Sequence, residues 1–257
     1  MEKEQRQGVF LAQPHRRLSE DQVRLIDGVS RDLLQDPGLL CFNQEAADLY
    51  EKAGAAVEPG DECARVRIPP KVVDEALEAA PSTITLGARR PENRLILDAT
   101  EPRVRFVSGS ETNVWLDVQY DGAGPARLTR EKGNIERLCR AAHLCEHLEH
   151  LDSFIRSVNI QDAEVTAANK DVNKFLASLN NITKHVQAGL TALDALDDVL
   201  RLGRIVAGGA EAFAAEPVLS FIACVIKSPL QVVDDTAAKV IAVARQGAPI
   251  VLSSSPM

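Results

Sequence analysis

From about residue 101 onward, short apolar runs alternate with segments of helical periodicity, and this alternation restricts the fold more than any other feature. The apolar runs fall at residues 104–107, 154–160, 184–188, 218–226 and 250–252. Each interval between them is long enough for a helical crossover, which parallel strands require. The pattern therefore predicts a parallel sheet. A closed (β/α) barrel and an open doubly wound sheet both satisfy it. No Gly-x-Gly-x-x-Gly follows the first strand, and Ser108-Gly109-Ser110 leads into a hairpin rather than a helix, which argues against a dinucleotide site. The expected fold is α/β: a (β/α) TIM-type barrel, incomplete, with about five of the eight strands, preceded by an α+β N-terminal cap. The cap is expected over residues 1–100 and the first part of the barrel over 101–257. No later segment can pair with the strand at Ile250, so an open edge and association between copies are expected.

The first hundred residues carry clear helix signals. Ser19 and Gln22 form a capping box, with Leu18 as staple and Val23, Ile26, Leu33 and Leu34 as the apolar face. Asp36-Pro37-Gly38 ends that helix. Asn43 caps a second, bearing Ala46, Leu49 and Tyr50, and Pro69-Pro70 opens a third, with Val72, Val73, Ala76 and Leu77 as its face. Residues 82–86 and 94–97 read as short strands. Further on, Asp121 to Gly124 turns a hairpin, and Thr129, Thr191 with Asp194, and Asp234 are predicted helix caps.

A net charge of −8 argues against a nucleic-acid partner. No apolar run has bilayer length, and the charged opening Met1 to Gln7 lacks the apolar core of a signal peptide, so a cytoplasmic protein without a membrane partner is expected. The five cysteines are scattered and form no Cys-x-x-Cys pair, which speaks against zinc and for small buried thiols. The absence of Gly-x-Ser-x-Gly argues against a serine hydrolase.

In either parallel architecture the chemistry sits at the C-terminal ends of the strands. The polar residues predicted there include Glu111, Asn159, Gln161, His185, Gln187, Lys227 and Ser255, with His185 and Gln187 on one face by the two-residue period. The set is rich in neutral hydrogen-bonding groups and poor in paired acids and bases. His185 can equally be a satisfied core residue, and Lys227 a solvated loop lysine. No residue is singled out as catalytic, and no metal site is expected. Phe106, Phe154 and Phe221 could lend a ring to an ammonium group, but they read better as core.

The order of several short segments resembles the trimethylamine methyltransferase family. These are Leu18 to Val23, Leu49 to Ala55, Arg65 to Pro69 and Ala76 to Pro81, followed by Ile205 to Gly209, the strand 219–226 with Ser228-Pro229-Leu230, and Ser255-Pro256-Met257. The resemblance implies a (β/α) barrel that moves a methyl group from a tertiary or quaternary methylated amine, such as trimethylamine or glycine betaine, to the cobalt of a corrinoid protein. The cobalamin is then carried by that partner and not bound by this chain. The resemblance also implies that the family's barrel continues beyond the position of Met257. Two other readings are an inactive half-barrel fragment and, more distantly, an unrelated TIM-barrel enzyme.

Overall fold

The structure is a computed structural model that describes residues 8–13, 15–120, 122 and 124–255. In chain order its elements are β1 (Val9–Phe10), α1 (Glu20–Gln35), β2 (Leu39–Cys41), α2 (Gln44–Lys52), β3 (Ala56–Glu58), β4 (Ala64–Arg67), α3 (Pro70–Ala79), β5 (Thr83–Leu86), β6 (Leu95–Asp98) and β7 (Arg103–Val104). There follow β8 (Val114–Gln119), β9 (Arg127–Lys132), α4 (Ile135–His147), β10 (Ser153–Ile155), α5 (Ala167–Asn181), β11 (His185–Ala188), α6 (Leu196–Ala207), α7 (Ala210–Ala215), β12 (Leu219–Lys227), β13 (Gln231–Val232), α8 (Asp234–Arg245) and β14 (Ile250–Ser255). The fold is mixed α/β, with several sheets. No helix among the described residues is long and apolar enough to cross a membrane.

Local chemistry explains most helix boundaries. The Ser19 hydroxyl accepts from the Gln22 N–H at 3.2 Å, and the Gln22 side chain accepts from the Ser19 N–H at 2.9 Å, which is the predicted capping box. Asn43 caps α2 through the Ala46 N–H at 2.8 Å. Three predicted caps are corrected. Thr129 lies inside β9, where its β-branched side chain is at home, and Asn134 caps α4 instead, accepting from the Arg137 N–H at 2.8 Å. Thr191 does not cap α6, which starts at Leu196, and its hydroxyl accepts from Lys174 at 3.2 Å instead. Asp234 sits in the first turn of α8, one residue past the Val233 cap position, where its charge still suits the helix dipole. Of the apolar face of α1, Val23, Ile26 and Leu33 remain about half exposed, and Leu34 packs, partly buried, against the cluster of Leu39, Ala47 and Val66.

The described residues group into two compact units, each drawing on both sides of residue 100. The first takes in residues 8–10, Thr83–Phe221 and Gly247–Pro249. Its centre is a parallel run in chain order, β10 beside β11 and β11 beside the start of β12. Register puts Phe154, Val186 and Leu219 on one side of these strands and Ser153, His185, Gln187 and Ser220 on the other. Phe221 shares the side of Phe154 and meets Phe175 of α5 edge-on at 5.7 Å, so that side is the helix-packed one. Phe154, Phe175, Val186, Leu200 and Phe221 are essentially inaccessible and form its core.

Two predicted strands of this unit are shorter than their apolar runs. Residues 104–107 supply only the end of β7, antiparallel to β1, plus one parallel bridge from Val107 to Ser153. Side chains take over the ladder's role here. The Asp152 carboxylate accepts the N–H of Phe106 at 2.7 Å and of Gly8 at 2.9 Å. The Ser108 hydroxyl exchanges hydrogen bonds with both backbone groups of Ile155, at 2.7 and 2.9 Å. Likewise β10 stops at Ile155, and Val158 makes a single bridge to Thr112.

The second unit comprises Leu11–Ser82, Ile222–Gln246 and residues 250–255. The end of β12 pairs with β13, β13 with β2, and β2 with β4, which also pairs with β3. The step from β13 to β2 is parallel and the others are antiparallel. Leu39, Ala47, Val66 and Val232 make its core. Gly38 sets the entry to β2: its φ of +77° and the Val66 carbonyl, 2.3 Å from where a Cβ would stand, both require glycine. Between α2 and α8 lies an apolar cleft of about 300 Å³ lined by Leu49, Tyr50, Val225, Val240 and Ile241.

Candidate functional site

Polar residues of the first unit gather where β10 and β11 end. Arg156 follows β10 directly, and its N–H donates to the Gln187 carbonyl at 2.8 Å, fixing its place beside β11. Its guanidinium grips Glu111 at two points, Nη1 to Oε1 at 2.8 Å and Nη2 to Oε2. Two parallel bonds to one carboxylate make a directional pair. The Arg156 side chain is 7% exposed and Glu111 37%, so the arginine is buried while the acid reaches solvent. Asn113, two residues on, binds both further candidates: Asn159 donates to its side-chain oxygen at 2.8 Å and Gln161 to its carbonyl at 2.7 Å. The Asn159 side-chain oxygen is buried without a hydrogen-bond partner.

His185 and Gln187 form a second group, as their shared face predicts. The Gly87 carbonyl can only accept, so the His185 Nδ1 at 2.9 Å carries the proton, and Nε2 accepts from the Ser220 hydroxyl at 2.8 Å. Ser220 Oγ in turn accepts from the Gln187 amide at 3.2 Å. Burial drives the His185 pKa down to about 4, against the opposing pull of the Gly87 carbonyl, so the ring is neutral at pH 7. His185 is the first residue of β11, not the last, and is 1% exposed. In the structure it is a fully satisfied buried histidine on the face opposite the helices.

The charged pair closest to the end of β11 escaped the sequence reading. Asp171 and Lys174, one turn apart in α5, are both fully buried and ion-paired. Lys174 also donates to the Gly189 carbonyl and to the Thr191 hydroxyl. The Asp171 carboxylate accepts the N–H of Thr191 at 2.9 Å and of Ala192 at 2.8 Å. Burial lowers the Lys174 pKa to about 8, and the charge of Arg156 adds to this while Asp171 and Glu111 oppose it. Burial alone would raise Asp171, but Lys174 and the two backbone donors hold it below the usual carboxylate range. The available signal was spacing: Asp171 and Lys174 lie three residues apart on a helix whose other buried positions are Phe175, Ala177, Ser178 and Leu179.

The remaining candidates stand elsewhere. Lys227 is an exposed residue at the end of β12 in the second unit, and Ser255 closes β14 there, its side chain lying outside the described residues. Asp162 accepts the Ile135 N–H at 2.8 Å at the start of α4, a structural task. Phe154 and Phe221 are core, as expected, whereas Phe106, also read as core, is 45% exposed. Among the described residues no group of three or more His, Cys, Asp or Glu could hold a metal ion.

Comparison with known proteins then fixes the class. The family model for trimethylamine methyltransferase (MTTB) matches residues 3–256, and the chain belongs to this family. It is 30% identical over 239 residues to the trimethylamine methyltransferase MttB of Desulfitobacterium hafniense, covering 93% of this chain and 45% of that protein. Against the trimethylamine methyltransferase MttB of Methanosarcina barkeri it is 25% identical, over 92% of this chain and 46% of the relative. It is also 22% identical to a glycine betaine methyltransferase of D. hafniense, over 79% of this chain and 39% of that protein. The chain spans a little under half the length of the trimethylamine methyltransferases it matches.

Proposed function

We propose that the protein transfers a methyl group from a tertiary or quaternary methylated amine, such as trimethylamine or glycine betaine, to the cobalt of a separate corrinoid protein. The observation that carries this reading is the family match over residues 3–256, joined by relatives named for both amines. On this reading the corrinoid protein is a co-substrate, the cobalamin travels with it, and the reaction takes place in the cytoplasm. Residues 101–257 form the first part of a (β/α) barrel and residues 1–100 its cap. The chain-order adjacency of parallel β10, β11 and β12, with one face packed by helices, supports that reading.

The substrate end is assigned to Glu111, Asn159 and Gln161, with Arg156, Asp171 and Lys174 behind them. Glu111 is the acid of this set that reaches solvent, and a carboxylate there favours an ammonium ligand over a neutral amine. Arg156 orients it. A quaternary amine leaves without needing a proton, so neutral amides at Asn159 and Gln161 are enough to position it. His185 and Gln187 brace the strands beneath.

The test is methyl transfer itself. The protein is assayed as these 257 residues and in a form extended to its relatives' length, with a Co(I) corrinoid protein and each of trimethylamine, glycine betaine and related quaternary amines. Methyl-cobalt absorbance with the extended form and one of these amines is expected, and the 257 residues alone are expected to be inactive. No methyl-cobalt with any amine, while the corrinoid accepts methyl groups from another donor, overturns the reading.

A further inference from the structure

We propose that His143 and His147 chelate one divalent transition-metal ion of the nickel–copper class on the exposed face of α4. The two side chains stand one turn apart on the same side of the helix, and both are exposed. Their ring centroids are 4.7 Å apart and their planes meet at 77°. A metal bonded to an imidazole nitrogen at about 2.0–2.1 Å lies about 3.2 Å from the ring centroid. Two such rings at a right angle around one ion therefore have centroids about 4.5 Å apart, and two in a tetrahedron about 5.2 Å apart. The observed spacing is closer to the right-angled case, which belongs to nickel and copper(II) rather than to tetrahedral zinc. Rotation about Cβ–Cγ turns the nitrogens of either ring while leaving its centroid almost in place, and that torsion is soft.

The turn that carries the pair is already held. Lys184 Nζ donates to the Cys145 and Leu148 carbonyls, each at 2.8 Å. The Glu146 carboxylate accepts the Thr183 N–H and hydroxyl, each at 2.7 Å. The backbone beneath both rings is thus fixed by the entry to β11 before an ion arrives, and less ordering is left to oppose binding. His147 lies in the last turn of α4, where the helix dipole favours a cation. Arg140, one turn before His143, is engaged over the Trp115 ring, 5.6 Å from its centroid. His150 lies beyond the end of α4, and no three such groups meet among the described residues, so water completes the coordination.

The pair takes no part in the methyl transfer proposed above. An ion held by both rings ties one turn of α4 to the next, and because the unfolded chain does not hold the rings together, binding stabilises the first unit by linkage.

The experiment titrates the reduced, untagged chain with nickel chloride at pH 7 by calorimetry and follows its thermal unfolding. Nickel is the probe because copper(II) would react with the five free thiols. One ion per chain and a nickel-dependent rise in melting temperature are expected. His143→Ala and His147→Ala each leave a single ligand, so each should weaken binding roughly a hundredfold and lose the rise in melting temperature. His150→Ala should bind as the parent does, and zinc chloride should bind more weakly than nickel. No saturable nickel binding, binding that survives either of the first two substitutions, equal loss in His150→Ala, or tighter binding of zinc would each overturn the proposal.

Discussion

Lys174 and Asp171 stand one helical turn apart in α5 and neutralise each other with no access to solvent. Such a pair contributes little net stability when whole, because both charges have lost their water, but removing one partner strands the other. Asp171→Ala should therefore destabilise the chain by about 3–5 kcal/mol, while the double change Asp171→Ala with Lys174→Met should recover only the part owed to the stranded charge, the Thr191 and Ala192 N–H groups still lacking their acceptor. Urea unfolding at pH 7 measures both. Equal loss in the single and double variants would mean that the cost lies in the lost Asp171 bonds to the Thr191 and Ala192 N–H groups and not in the stranded lysine charge.

His185 makes stability depend on pH in a defined window. Its pKa is about 4 in the folded chain, against an ordinary value of 6.5. Between those values the unfolded chain binds the extra proton, so stability is intact above pH 6.5 and falls as pH drops toward 4. The full shift corresponds to a loss on the order of 3 kcal/mol. His185→Gln should be less stable than the parent at pH 7 and should show a flatter decline between pH 6.5 and 4. The readout is the difference between the two urea-unfolding series, which cancels the titration of the carboxylates.

Much of this architecture is legible in the sequence, because helix caps and strand spacing are local signals. Ser19 with Gln22, Asn43 and Pro70 mark helix starts where the structure has them. The 184–188 and 218–226 runs are the parallel strands β11 and β12, each within a residue or two of its predicted ends. What escaped depends on contacts between distant segments. Nothing near Phe106 announces that Asp152, 46 residues later, takes its N–H and ends a strand. Nothing in the sequence around Arg156 points to Glu111, 45 residues earlier, as its partner. The exposed face of α1 has all the periodicity of a packed helix, and periodicity alone says nothing about what covers it.

Three glycines separate close backbone approach from simple permissiveness. A Cβ on Gly133 would stand 2.2 Å from the Asn159 carbonyl, and one on Gly87 2.2 Å from the Glu216 carbonyl. Both obstacles are backbone and cannot rotate away. Gly133→Ala should loosen the segment carrying Asn159 and Gln161, and Gly87→Ala the carbonyl that orients His185, each losing about 1–3 kcal/mol. Gly28 lies inside α1 with nothing within 4 Å of a Cβ. Gly28→Ala should instead stabilise by about 0.5–1 kcal/mol through helix propensity. Thermal unfolding of the three variants checks the opposite signs.

The pairing of Arg156 with Glu111 is asymmetric, and the asymmetry is testable. Glu111 at 37% exposure can turn to water if its partner is lost, whereas Arg156 at 7% cannot. Its Nε is already buried without a hydrogen bond. Glu111→Gln leaves a buried guanidinium short of its counter-charge, and Arg156→Met leaves a carboxylate that solvent can reach. The glutamate change should therefore be the more damaging of the two, by about 1–2 kcal/mol, although the substitution itself is the more conservative. A double-mutant cycle under urea should return a coupling of about 1–3 kcal/mol between the sites. Additive single effects would mean that the two-point contact adds nothing to the fold, and the orientation of Glu111 would then need another source.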